Sequence, residues 1–210
     1  MFWPDNAQIA VTTSLMFEAG SQDLHKTFGP FPVAQEGDFP DLPTNSWFDY
    51  AANEGIPRVL DLFDRHGVTA SSFMTGMSVE RYPPIAREIV KRGHEAAAHG
   101  RRWAPSFNMA PGEEEKFIAD GFASVERTTG QRPVGWNAHS MRNSVNTLEI
   151  LQQLDFIYFI EISATTSRGV THSLATLIEH KGKHYDRPTN PAQAVHGRSV
   201  DPQRHRSLRR

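Results

Sequence analysis

Three times in this chain an amphipathic run closes on a glycine and a strand-like apolar run follows. Gly67 precedes Val68–Met74, Gly93 precedes His94–His99, and Gly130 precedes Val134–Asn137. Glycine adopts the left-handed conformation that ends a helix without steric cost. The runs before these glycines also carry helix openings. Asn53 can cap a helix with Pro57 in its first turns and Ile56, Val59, Leu60 and Phe63 at helical spacing. Pro83 and Pro84 open a second helix through Ile85, Ile89 and Val90. A third runs from about Pro111 to Thr129, with Glu113, Glu114 and Glu115 at the positive end of its dipole. A fourth, from Asn143 or Ser144 through Leu148, Ile150, Leu151 and Leu154, leads into Phe156–Ile160, and Ile9–Phe17 reads as a strand before them all. Strand and helix in alternation predict an α/β fold with a parallel sheet and right-handed crossovers. Periodicity does not separate a closed barrel from an open doubly wound sheet. Glu18, His99, and Trp136 with Asn137 and His139 fall at the carboxyl ends of different strands. A barrel gathers such ends round one mouth, whereas an open sheet joins only those at its switch point.

With 210 residues the chain suits one domain with a real core. A net charge of -2 gives no electrostatic case for nucleic acid or an anionic membrane as partner. The start, Met1-Phe2-Trp3-Pro4-Asp5, has no basic residue followed by an apolar stretch, and no apolar run is long enough to span a bilayer, so the expected location is cytoplasmic. The absence of cysteine excludes disulfides and thiolate metal sites. Charge is uneven along the chain. Residues 162–210 hold nine Lys or Arg against three Asp or Glu, a charge of +6 that leaves -8 for the remainder, and Tyr185 is their one aromatic residue. They read as a basic, poorly ordered tail after a domain at 1–161. Between Ala19 and Tyr50, Pro30, Pro32, Pro40 and Pro43 with Gly29 and Gly37 mark a long loop near the end of the first strand, either a lid or substrate wall or a packing insertion.

Several residues can carry chemistry. Glu18, after the apolar pair Met16-Phe17, is a candidate general base if the strand is buried. His99 ends a run of small residues, and Gly100 after it permits an unusual turn. His94 begins that strand, away from the mouth, and reads as structural. Arg132 is held extended by Pro133 and either orients a carboxylate or lies on the surface. Trp136, Asn137 and His139 are expected to line the mouth, where an aromatic wall and an amide suit a sugar or a planar polar substrate.

Phe17-Glu18-Ala19-Gly20, Gly93-His94-Glu95 followed by His99, and Arg132-Pro133-Val134-Gly135 resemble the leading motifs of the polysaccharide deacetylase family, over residues 3–161. The string Arg132-Pro133-Val134-Gly135-Trp136 and Trp103 after the histidine motif resemble its metal-independent, allantoinase-like branch. The resemblance implies a distorted (β/α) barrel and hydrolysis of a non-peptide C–N bond. In metal-dependent members the first motif supplies a base and then an aspartate ligand, and the second supplies two histidines four apart. Here those positions hold Glu18, Ala19, His99 and Trp103, so one of three protein ligands remains. Catalytic zinc usually has three. No cofactor is expected, and zinc would need an unexpected ligand such as His139. The implied roles are Glu18 activating water, His99 holding water or substrate and moving a proton, and Arg132 orienting Glu18 or a substrate group. Trp103, Trp136, Asn137 and His139 would bind a small saccharide or a cyclic amide. The family continues past the fifth strand with further barrel and a late histidine, and this chain enters its basic tail instead. A frame shift or truncation after about Glu161 is the expected origin, leaving a barrel incomplete at its C-terminal end. Its exposed sheet edges lead to an expected homo-oligomer or low solubility.

Overall fold

A computed structural model describes residues 11–25, 39–163 and 172–178. Its elements are β1 Ser14–Phe17, α1 Leu42–Tyr50, α2 Ile56–His66, β2 Ser71–Met74, α3 Gly76–Arg81, α4 Pro83–Lys91, β3 Glu95–Ala98, α5 Pro111–Thr129, β4 Gly135–Asn137, α6 Thr147–Gln153, β5 Tyr158–Ser163 and β6 His172–Leu177. The sheet order is β1-β2-β3-β4-β5-β6. The first five strands are parallel neighbours, in registers such as Phe17 opposite Met74 and Met74 opposite Ala98. Sequential order means that every crossover steps the same way round. That winding curls a sheet into a barrel wall, and a doubly wound sheet would reverse its order. The result is a half-barrel backed by helices.

Alternation along the strands sorts the two faces. Phe17, Met74, Ala96 and Val125 pack with Ile56, Leu60 and Ile89 of the backing helices. Further round, Ala98, Trp136 and Ala138 pack with Ile118, Phe122, Leu151 and Phe156. The opposite, concave face carries Phe73, Ala97 and Tyr158, joined by Val134 and Ile160. Tyr158 crosses the backbone of Gly135, where a Cβ would lie 2.2 Å from the ring. This close approach accounts for the glycine of the Arg-Pro-Val-Gly string.

The glycine punctuation fits the structure. Gly67, Gly93 and Gly130 all have positive φ at or just beyond helix ends. Asn53 is not a cap. The helix begins at Leu42, where Asp41 accepts the Thr44 N–H at 3.1 Å, and continues through a π-helical turn at Ala51–Gly55 into α2. Pro57 sits in the first turn of α2, beside that widened turn. Helix α3, capped by Thr75, was not foreseen. Beyond Glu161 the structure adds β6, antiparallel to β5, inside the segment read as a tail. Residues 164–171 and 179–210 of that segment, and residues 26–38 of the loop read as a lid or wall, lie outside the described residues. No described helix is long and apolar enough to cross a membrane.

Candidate active site

Glu18 follows β1 on the concave side, because Phe17 before it points into the helix layer. Its loop is closely held. The Ser21 N–H and hydroxyl both donate to the Glu18 carbonyl, at 3.1 and 2.6 Å. Gly20 has φ 77°, and a Cβ there would lie 2.4 Å from Arg81 Cδ. The Trp103 N–H returns from the loop after β3 to Ser21, 3.1 Å from its carbonyl and 3.2 Å from its hydroxyl. His99 follows β3, its N–H bonded to the Met74 carbonyl at 2.9 Å.

The two side chains meet. His99 Nε2 lies 3.0 Å from Glu18 Oε1, with the imidazole 2% and the carboxylate 22% exposed. On its other side His99 Nδ1 lies 2.6 Å from the Asn137 carbonyl oxygen. A carbonyl oxygen only accepts, so Nδ1 carries a proton. On the opposite side of the ring Nε2 is within hydrogen-bond distance of the Glu18 carboxylate. Glu18 and His99 thus form a carboxylate–imidazole pair in direct contact, with the imidazole oriented by the Asn137 carbonyl at its far nitrogen. The carboxylate is the more exposed of the two side chains.

His139 follows β4, its ring 5.0 Å from the Trp103 ring centroid, and Trp103 lies 5.6 Å from Phe48 of α1. Burial holds the His139 imidazole below the ordinary histidine value. The His99 charge pushes the same way and Glu18 opposes it. Asn137 is buried, and its Oδ1 has no partner among the described residues, while Nδ2 meets only the Met16 sulfur at 3.7 Å. Below this level the concave face holds a second polar cluster in which Ser71 and Tyr158 both donate to Glu95 Oε2. Burial raises the Glu95 carboxyl above the ordinary carboxylate value against the pull of those two bonds.

Two expectations need correction. Arg132 lies at the amino end of β4, opposite the mouth, exposed, with its guanidinium donating to the Leu154 carbonyl at 2.8 Å and lying 4.8 Å over the Phe122 ring. It does not reach Glu18. Trp136 is 1% exposed in the helix-side core, its Nε1 donating to Asn143 Oδ1 at 3.1 Å, because alternation along β4 turns Asn137 inward and Trp136 outward. Glu18, His99, Asn137, Trp103 and His139 are brought together. Sequence reasoning missed Ser21 and Phe48. Ser21 closes the turn after Glu18, and nothing in the sequence ties it to Trp103.

The residues present do not fit a zinc site of the family's kind. Ala19 offers no donor, and Trp103 has its ring between Phe48 and His139. Among the described residues no three His, Cys, Asp or Glu side chains converge as metal ligands.

Fold and site define an α/β half-barrel protein with a carboxylate–imidazole pair at its strand ends. A family model described as polysaccharide deacetylase matches residues 40–159, more than half of the chain, and the chain belongs to that family. A peptidoglycan deacetylase from Helicobacter pylori is 32% identical over 109 residues, 52% of this chain and 37% of that protein. The crystal structure of a probable polysaccharide deacetylase from Pseudomonas aeruginosa superposes with a TM-score of 0.69 at 25% identity, covering 81% of this chain and 62% of that one. An allantoinase structure shares the fold, with a TM-score of 0.66 at 23% identity over the same shares. The chain spans 34 to 51% of the length of the first curated relatives it matches.

Proposed function

We propose that the chain hydrolyses a non-peptide C–N bond, with the N-acetyl group of a small saccharide as the leading substrate class. The observation that carries this is the 3.0 Å contact between Glu18 and His99 at the strand ends of a deacetylase-family half-barrel. Glu18 takes a proton from water as the water oxygen attacks the amide carbon. His99, fixed through the Asn137 carbonyl, carries positive charge as the pair gains that proton. The carbon–nitrogen bond then breaks, with the nitrogen taking a proton back from the pair, and the products are an amine and a carboxylic acid. Negative charge developing on the amide oxygen needs a preorganised donor. The Asn137 side-chain NH₂ suits that role, since it lies at the mouth and donates only to the weakly accepting Met16 sulfur at 3.7 Å. Trp103 and His139 form the wall against which the ring of the substrate lies.

A cyclic amide is the second reading, favoured by the flat Trp103 ring where the family's metal-dependent members place a ligand. The test is release of acetate from chitooligosaccharides, alongside ring opening of a cyclic ureide. Glu18→Gln, which keeps the size but not the base, should lower turnover by about 10²–10⁴-fold. Retained hydrolysis in Glu18→Gln would overturn the assignment, and saccharide binding without release by the unaltered chain would make it a binding module.

A further inference from the structure

An open cavity of about 590 Å³ lies beside the mouth, between Phe107 in the loop after β3 and Met141–Asn146 in the loop after β4. Nothing in the reaction above uses it. Its wall is rich in donors. The Arg142 guanidinium is exposed, 5.9 Å from the Phe107 ring centroid, and makes no ion pair among the described residues. Asn143 Oδ1 is committed to the Trp136 indole, which turns the NH₂ end of that amide away from the core. The Asn146 backbone N–H is held by Ser144 Oγ at 2.9 Å, and Ser144 Oγ donates in turn to the buried Glu114. The loop is therefore braced from below, with Arg142 and the two asparagines on the cavity side.

The backbone that presents Arg142 is strained. Ser140 and Met141, two successive residues other than glycine, both have φ 55°, in the left-handed region. Such residues cost about 1 kcal/mol or more each and persist where the surroundings over-determine them, most often at functional sites. Here the reversal sets His139 against Trp103 and Arg142 beside Phe107. The charges of His99, Glu18 and Arg142 all act on His139, so cavity and acid–base pair share one electrostatic neighbourhood.

We infer that this cavity is a subsite for a carboxylate on the sugar next to the scissile amide, with Arg142 as its charged donor, Asn143 and Asn146 as neutral donors, and Phe107 beneath the sugar ring. Arginine matches a carboxylate with two parallel N–H donors, which suits it to this role better than to recognition of a hydroxyl. The inference deepens the deacetylase reading and rests on it for the position of the amide.

The test uses two disaccharides of N-acetylglucosamine, one whose second sugar is glucuronate and one whose second sugar is glucose. Calorimetry on Glu18→Gln measures their affinities without turnover, and amine release by the unaltered chain measures their kcat/KM. The acidic disaccharide should bind about tenfold or more tightly. The preference should shrink in high salt and fall close to one in Glu18→Gln carrying Arg142→Gln. Equal affinities, a preference that survives Arg142→Gln, or binding of neither sugar overturns the subsite. Selective binding of the acidic sugar without amine release from either keeps the subsite and sinks the hydrolase reading. Release without charge preference does the reverse.

Discussion

Replacing Gly121 by alanine should weaken both the fold and the site, and the size of the effect can be worked from the packing. Gly121 lies in α5 where that helix crosses the backbone just after His99. A Cβ there would stand 2.3 Å from both the carbonyl carbon and the oxygen of Gly100, and 2.8 Å from the Arg101 nitrogen. These are backbone atoms, and they are pinned, since the Gly100 carbonyl accepts the Gly76 N–H at 2.9 Å and the Arg101 carbonyl accepts the Met77 N–H at 2.9 Å. The helix must retreat by about 1 Å to restore ordinary contact, lifting Ile118, Phe122 and Val125 from the core. Overpacking of this kind costs about 1–3 kcal/mol, and the rigid obstacle places it at the upper end. Alanine's helix propensity returns about 1 kcal/mol. The net loss is about 2 kcal/mol, which for a chain of this size lowers Tm by roughly 4–8 °C. Thermal unfolding by circular dichroism reads it, with Gly112→Ala in the same helix as control, since a Cβ there meets nothing within 4 Å. Because Gly100 follows His99 directly, kcat should fall more than KM rises. A Gly121→Ala protein as stable as wild type, or one that loses stability with kcat intact, would refute the view that this helix contact positions His99.

Asn137→Ala keeps the backbone carbonyl that orients His99 and removes only the side-chain amide. Turnover should fall about 10²-fold with KM little changed, and an unaltered kcat would remove Asn137 from charge stabilisation. Glu95→Gln tests the buried cluster through pH. Burial raises the folded-state carboxyl above its unfolded value of 4.5, so as pH climbs from there through the folded value the unfolded chain gives up its proton first and wild-type stability falls. Glutamine has no such slope and still accepts from Ser71 and Tyr158. Urea denaturation should show the two proteins drawing apart in favour of Glu95→Gln as pH rises above 4.5, and a constant difference would mean that Glu95 stays ionised when folded.

Much of the fold was legible because its punctuation is local chemistry. Gly67, Gly93 and Gly130 announce left-handed helix ends, and Pro111 with its three glutamates announces α5 at the residue where it begins. Helix α1 was hidden, since Pro40 and Pro43 beside Asp41 read equally as loop and as helix opening, and the Asp41 cap that decides between them shows only in three dimensions. The errors at Arg132 and Trp136 have a different origin. Strand direction places the residue before β4 at the amino end, the argument that correctly kept His94 out of the site. His94 indeed accepts the Ala70 N–H at Nδ1 and packs on Phe63. Period-two alternation separates Trp136 from Asn137 in the same way. Contacts between loops, such as Trp103 with Ser21 and His139, depend on which strand ends become neighbours, and no local pattern in the sequence encodes that.

The central claim is that Glu18 and His99 drive hydrolysis as an acid–base pair without a bound metal, in a site whose Ala19 and Trp103 replace the family's other ligands. The direct measurement is the rate of acetate release from a chitooligosaccharide by chain stripped of metal with a strong chelator, compared with untreated chain and with stripped chain given zinc. The account predicts one rate for all three and its loss in Glu18→Gln. Activity that vanishes on stripping and returns with zinc would contradict it.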